Sequence, residues 1–265
     1  MNQYDAIFNR RCVKSFRTEK INDRGISQIL NFANYITDIS GKNSVNFEVW
    51  SGTEKEKMME HHFSVKAPHY FVLSTESTED RFLNLGFVLE QVALYLVTKD
   101  LGSCFAGIHK EKKQKQQETS RILAVLAFGI PADGSAKRMR TLPIEHLCVF
   151  KDKADAGIKD MISAAVLAPS RLNSQPWRFV VYKNRIHVFR KKERFVLKTS
   201  TTDWYQEFDM GMMLANLLVA GEELWYNIEI VNNETIAEKE LKNNIYMFTV
   251  IVTEQQSDFE AMKDM

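Results

Sequence analysis

Two stretches of this chain repeat the same signals about half a chain length apart. Asn43-Ser44 followed by Phe47-Glu48-Val49 is echoed by Asn173-Ser174 followed by Trp177-Arg178-Phe179, an offset of 130. Gly86 with Gln91 five residues on is echoed by Gly211 with Asn216, an offset of 125. Each half reads helix, polar loop, strand, long helix, strand, so an internal duplication is tested first. A duplicated chain would fold as a covalent version of a two-fold dimer. Coincidence between two α+β segments is the competing reading. The expected halves are residues 1–152 and 153–265.

The first half predicts helices over Tyr4–Asn9, Asn22–Tyr35 and Arg81–Leu101. The last keeps a helical stripe of Leu85, Val88, Leu89, Val92 and Leu96, with Gly102 as its stop signal. Strands are expected at Asn46–Ser51, His69–Ser74, Ile122–Phe128 and His146–Phe150. The charged stretch Lys110–Gln117 reads as a solvated surface segment. The second half predicts a helix over Ile158–Leu167, a polar loop over Pro169–Pro176, and a hairpin of Arg178–Tyr182 with Arg185–Arg190. A long helix over Phe208–Tyr226 and a closing strand over Ile245–Val252 follow, and the last dozen residues are polar and expected to fray.

The chain's 265 residues suffice to bury a core without disulfides or metals. Lys plus Arg is 35 and Asp plus Glu is 34, a balance that argues against a nucleic-acid binder. The three cysteines, Cys12, Cys104 and Cys148, show no C-x-x-C spacing, so neither a disulfide framework nor a zinc site is expected. Adjacent His61 and His62 would not share a helix face and suit a metal poorly. The apolar run Ile122–Ile130 is far short of the roughly 20 residues of a membrane span, and the first 16 residues lack a signal-peptide core. A cytoplasmic protein with no membrane partner is the expectation.

G-x-G-x-x-G and Walker-type phosphate loops are absent, as are G-x-S-x-G and H-E-x-x-H. Two segments do carry chemistry. Arg10-Arg11-Cys12-Val13-Lys14 sets three cations within five residues in a turn, suited to phosphate oxygens. A merely solvated basic cluster is the alternative. Ala168-Pro169-Ser170-Arg171-Leu172-Asn173-Ser174-Gln175-Pro176-Trp177 places hydroxyl, amide and guanidinium groups between two prolines beside an apolar helix. Such groups both donate and accept, which suits the edge of a heteroaromatic ring or a ribityl chain. An ordinary polar loop is the alternative.

The second segment resembles the Pro-Ser-x-x-Asn-Ser-Gln-Pro-Trp signature of nitroreductase-like FMN flavoproteins. The first is similar to their N-terminal Arg-Arg-Ser-x-Arg/Lys phosphate motif. Leu101-Gly102-Ser103-Cys104-Phe105-Ala106-Gly107 resembles the segment beside the flavin ring in that family. Phe128-Gly129-Ile130-Pro131, followed by Arg138-Met139-Arg140, resembles its Gly-x-Pro strand end and the basic pair after it. Ordinary members dimerise, and each flavin draws on both subunits. Here the basic motif stands in one half and the intact loop in the other, while Ile39–Asn46 holds a degenerate counterpart. The pattern resembles the fused branch of the family, the TM nitroreductase type.

That resemblance implies an α+β nitroreductase-like fold. Two related helix-flanked mixed-sheet halves would form an internal pseudo-dimer, a monomer with one FMN site retained and one lost. Arg10 and Lys14, with Arg138 and Arg140, would hold phosphate and ribityl oxygens. Arg11 belongs to the same motif, and Cys12 replaces the family's Ser, which weakens a hydroxyl contact. Pro169, Ser170, Arg171 and Asn173, with Gln175 of the same loop, would line the ring and ribityl edge. Phe105, Ala106 and Gly107 would pass under the ring. The Asn and Lys contacts of some members have no clear match near His61–Ala67.

The implied chemistry is ping-pong: NADH or NADPH reduces the flavin, then a small nitro, quinone or similar acceptor takes the electrons. No side chain is nominated as catalytic acid or base. Arg171 is the candidate cation for the pyrimidine edge of the flavin, with a solvent-facing side chain as its alternative. Cys104 reads as a buried thiol, with a redox role as its alternative. Other chemistry on the same fold, such as reductive dehalogenation, a non-catalytic flavin-binding protein, and an α+β domain without flavin remain alternatives at this point.

Overall fold

The computed structural model describes residues 1–37, 39, 45–51, 63, 65–75, 81–110, 122–132, 134, 136–137, 139–192, 202–237 and 243–255. The first helix, α1 (Gln3–Asn9), starts where the Asn2 side chain accepts a hydrogen bond from Asp5 N. Asn22 caps α2 (Asp23–Tyr35) and Asp155 caps α4 (Ala156–Ala165) in the same way. Each cap supplies an acceptor to an N–H that the helix itself leaves unpaired.

The first sheet contains β1 (Cys12–Val13), β2 (Val45–Ser51), β3 (His69–Thr75), β4 (Gly102–Lys110), β5 (Ile122–Gly129) and β6 (Ala136–Lys137). The second contains β7 (Cys148–Phe150), β8 (Trp177–Val181), β9 (Arg185–Lys191), β10 (Tyr226–Val231) and β11 (Asn244–Glu254). Their orders are β2-β3-β5-β4-β1-β6 and β10-β11-β9-β8-β7. Within them lie two matching four-strand units, β2-β3-β5-β4 and β8-β9-β11-β10. Neighbours within both units are antiparallel throughout. Parallel additions sit at the edges, β1 beside β4 and β7 beside β8. Strand β7 precedes residue 152 yet pairs with the second sheet.

Two long helices, α3 (Arg81–Thr98) and α5 (Thr202–Glu223), form the centre. Both are apolar around most of their circumference, the pattern of a helix enclosed on all sides. By length and composition α3 could cross a membrane, but 72% of that segment is buried inside the protein. The two helices touch at glycines. A Cβ at Gly86 would collide with the Phe208 carbonyl oxygen, and one at Gly211 with that of Leu83. Leu83 and Phe208 are themselves 125 apart, so each half presents the same contact to the other.

The repeat extends to the helix ends. Asp100 and Trp225, again 125 apart, adopt left-handed φ of 57° and 61°. Their N–H groups donate to Val97 O and Glu222 O, the matching carbonyls. Helix α3 therefore ends at Thr98, before the expected Leu101, and Gly102 begins β4 instead of stopping the helix. Strand β10 replaces the expected end of the last helix, and α5 begins at Thr202, six residues before Phe208. The hairpin and the strands over Ile122–Phe128 and Ile245–Val252 form where expected. Residues 111–117 and the chain end beyond 255 lie outside the described residues.

Candidate functional site

Helix α1 is capped by Arg10, whose N–H donates to Ala6 O at 2.8 Å. The chain then turns into β1, parallel to β4 with Cys12 opposite Ser103. This pairing brings the basic motif against the strand that carries Phe105, Ala106 and Gly107. The β4–β5 register shifts between Phe105 and Gly107, and Gly107 has φ +127°, a backbone that side chains oppose. Phe105 stacks on Phe208 of α5 at 4.5 Å between ring centres.

The second-half loop is tightly folded. Leu172, Asn173 and Gln175 take left-handed φ of 52°, 56° and 45°. Such conformations cost about 1–3 kcal/mol each unless the surroundings hold them. Here Gln175 N donates to Ser170 Oγ, and Gln175 Oε1 accepts from Leu142 N at 2.8 Å. Asn173 Nδ2 and Gln175 Nε2 both donate to the Arg140 carbonyl, at 2.7 and 3.1 Å. Both carboxylate oxygens of Asp209 on α5 accept from Arg171 N, at 3.1 and 3.0 Å. Burial pushes the Asp209 carboxyl well above the usual range, against these stabilising contacts.

Between these parts lies a cleft. Its walls include Arg10, Arg11 and Cys12 from the first half and Pro169, Asn173 and Gln175 from the second. The enclosed part is about 40 Å³, the scale of one small polar group, so a larger ligand would extend beyond it. Arg10 Nε lies 3.2 Å from Oε1 of Glu90, a residue of α3 buried to 1% exposure, though the two are not aligned as a hydrogen bond. Burial raises the Glu90 carboxyl to about 7, and Arg10 pulls it back only in part. Near neutral pH Glu90 therefore neutralises Arg10 incompletely.

The Cys12 thiol is lowered, first by a hydrogen bond with Cys104, then by Arg10 and Lys14, against burial. Arg11 turns its guanidinium back to the carbonyls of Phe8 and Arg10.

The expected residues thus fall into groups. Arg10, Arg11, Cys12, Pro169, Asn173 and Gln175 share the cleft. Lys14 is exposed just beyond it. Ser170 and Gln175 shape the loop, and Arg140 contributes its carbonyl while its side chain is exposed. Arg171 lies over the Tyr205 ring at 4.2 Å, and the Tyr205 hydroxyl accepts from Ile108 N at 3.3 Å. Arg171 is thereby tied to the β4 side, near Phe105–Gly107. Arg138, His61, His62 and residues 40–44 of the degenerate loop lie outside the described residues.

Sequence reasoning missed Glu90, Tyr205, Phe208 and Asp209. The available signal was a carboxylate placed within each apolar core helix.

Arg10 at the cleft and the exposed Lys14 beside it suit an anionic group such as a phosphate. The fold is that of the nitroreductases. The family model described as "Putative TM nitroreductase" matches residues 2–221, and the chain belongs to that family. A structure described as a "putative nitroreductase" from Thermotoga maritima is 19% identical, covering 95% of this chain and 94% of that one at a TM-score of 0.61. A structure described as a "Putative NADH Oxidase" from Clostridium acetobutylicum is 18% identical, covering 54% of this chain and 97% of that one at a TM-score of 0.44. An FMN-dependent nitroreductase from Clostridium difficile is 14% identical, covering 50% and 90% at a TM-score of 0.42. The fold comparison rests on the first of these. No curated protein matches this chain.

Proposed function

We propose that this chain is an FMN-dependent oxidoreductase that carries electrons from NADH or NADPH to a small nitro, quinone or similar acceptor. The observation that carries this reading is the cleft itself. It joins Arg10–Cys12 to Pro169–Gln175, segments about 160 residues apart in the chain. Family membership supports the redox class. When bound, FMN would supply a two-electron carrier that is reduced and reoxidised in turn, as a ping-pong cycle requires.

In this reading Arg10 and Lys14 bind the phosphate, and Pro169 and Asn173 flank the ribityl and ring edge. Arg171 sets a positive charge near Phe105–Gly107, which favours the negative charge gained on reduction. Gln175 and Ser170 keep the loop in its left-handed turns. The two four-strand units take the places of two subunits, so one chain would complete the site without a partner.

The test is steady-state oxidation of NADH and NADPH by FMN-loaded protein, with a nitroaromatic or a quinone as acceptor. Acceptor-dependent oxidation is expected with at least one nicotinamide. FMN-loaded protein that oxidises neither would leave a flavin binder and overturn the enzyme reading.

A further inference from the structure

Three cysteines are free, and Cys12 packs against the small cluster that holds Cys104. Strand β1 pairs with β4 so that Cys12 lies opposite Ser103, one position from Cys104. Strands in a sheet are about 4.8 Å apart and rise about 3.3 Å per residue, which separates such Cα atoms by about 6 Å. That separation is common among disulfides. Both side chains pack in one small cluster with Tyr70 and Ala106, a cluster without helical residues. Cys104 is the neighbour that most lowers the Cys12 thiol, and its own Sγ reaches the Phe105 carbonyl at 3.8 Å. Cys12 lines the cleft and is part-exposed, whereas Cys104 is only 4% exposed behind it.

We propose that Cys12 and Cys104 form a reversible redox pair, with Cys12 as the attacking thiol and Cys104 as the resolving one, oxidised by a small-molecule disulfide. Neither thiol is required by the flavin chemistry above, and the proposal stands without it. The Cys12 thiolate attacks one sulfur of the small disulfide; a new S–S bond forms and one thiolate leaves. That thiolate takes the proton of Cys104. The Cys104 sulfur then attacks Cys12 Sγ, closes the protein disulfide and expels the second thiolate, which takes a proton from solvent. Two protein thiols are oxidised and one small disulfide is reduced to two thiols.

The division of roles follows from surroundings. Arg10 and Lys14 favour the Cys12 thiolate, whereas burial and the neighbouring Cys12 hold Cys104 protonated. Cys148 sits on β7, where burial pushes its thiol up to about 12, and serves as a bystander.

Oxidised glutathione is added to the purified full-length chain, and the products are read by intact mass and peptide mapping. The expected wild-type product has lost two hydrogens, carries a Cys12–Cys104 cross-link, and reverts with dithiothreitol. Cys148→Ser should behave identically. Cys104→Ser should stop at a glutathione adduct on Cys12, and Cys12→Ser should give no cross-link. A stable glutathione adduct on wild-type Cys12, or a cross-link that involves Cys148, would overturn the proposal. The wild-type peptide map decides the question even where a variant fails to fold.

Discussion

Glu90 has Arg10 as its facing cation, and Arg10 also lines the cleft. The folded protein holds the Glu90 proton more tightly than the unfolded chain does, because burial opposes the charged form. Its contribution is therefore complete below about pH 4.5 and is lost as pH rises through about 7. The loss is of the order of 3 kcal/mol. Glu90→Gln should flatten the pH dependence of the urea midpoint across that window.

Arg10→Met should weaken FMN binding by roughly 10- to 100-fold, the scale of one hydrogen bond to a charged group. It should also lower stability above pH 7, where Glu90 loses its counter-charge. Adding Glu90→Gln should restore the midpoint and leave FMN binding weak. Fluorescence titration with FMN separates the two effects. At this scale the cleft residues were legible, because Arg10, Cys12 and Asn173 sit in local motifs. Glu90 and Asp209 were not, since their partners are brought to them only by the packing of α3 and α5.

The crossing of α3 and α5 leaves no room for a side chain at either glycine. Gly86→Ala and Gly211→Ala should each destabilise by about 1–3 kcal/mol, the usual cost of overpacking. The equivalence of the two contacts predicts similar values. The double variant should cost less than their sum, because one displacement relieves both collisions. Urea unfolding of the three variants checks this.

Elements with regular patterns were legible, such as the hairpin β8–β9 and strand β5. Helix ends were harder to read. Asp100 and Trp225 make left-handed turns without glycine, and apolar residues continue past both. Strand β4 was missed because Gly-Ser-Cys-Phe-Ala-Gly has little β-branched character. The mixed start of α5, with Trp204 and Tyr205 set among Asp203, Gln206 and Glu207, concealed where it begins, although an acidic first turn suits a helix N-terminus.

The whole molecule repeats one unit of four strands and one long helix, with the basic motif at one unit's edge and the proline-framed loop in the other. The sequence offset of 125 recurs in the structure at the Gly86 and Gly211 contacts and at the Asp100 and Trp225 turns. That β7 crosses to the second sheet was not legible, because pairing partners leave no local trace.

A single FMN site made jointly by the two halves is tested most directly by the visible spectrum of the purified protein, with flavin quantified after heat release and again after reconstitution with FMN. One FMN per chain is expected. Two per chain would mean that the counterpart loop near residues 40–46 also binds and that the site is not singular. None after reconstitution would contradict the flavin reading and leave the fold as described.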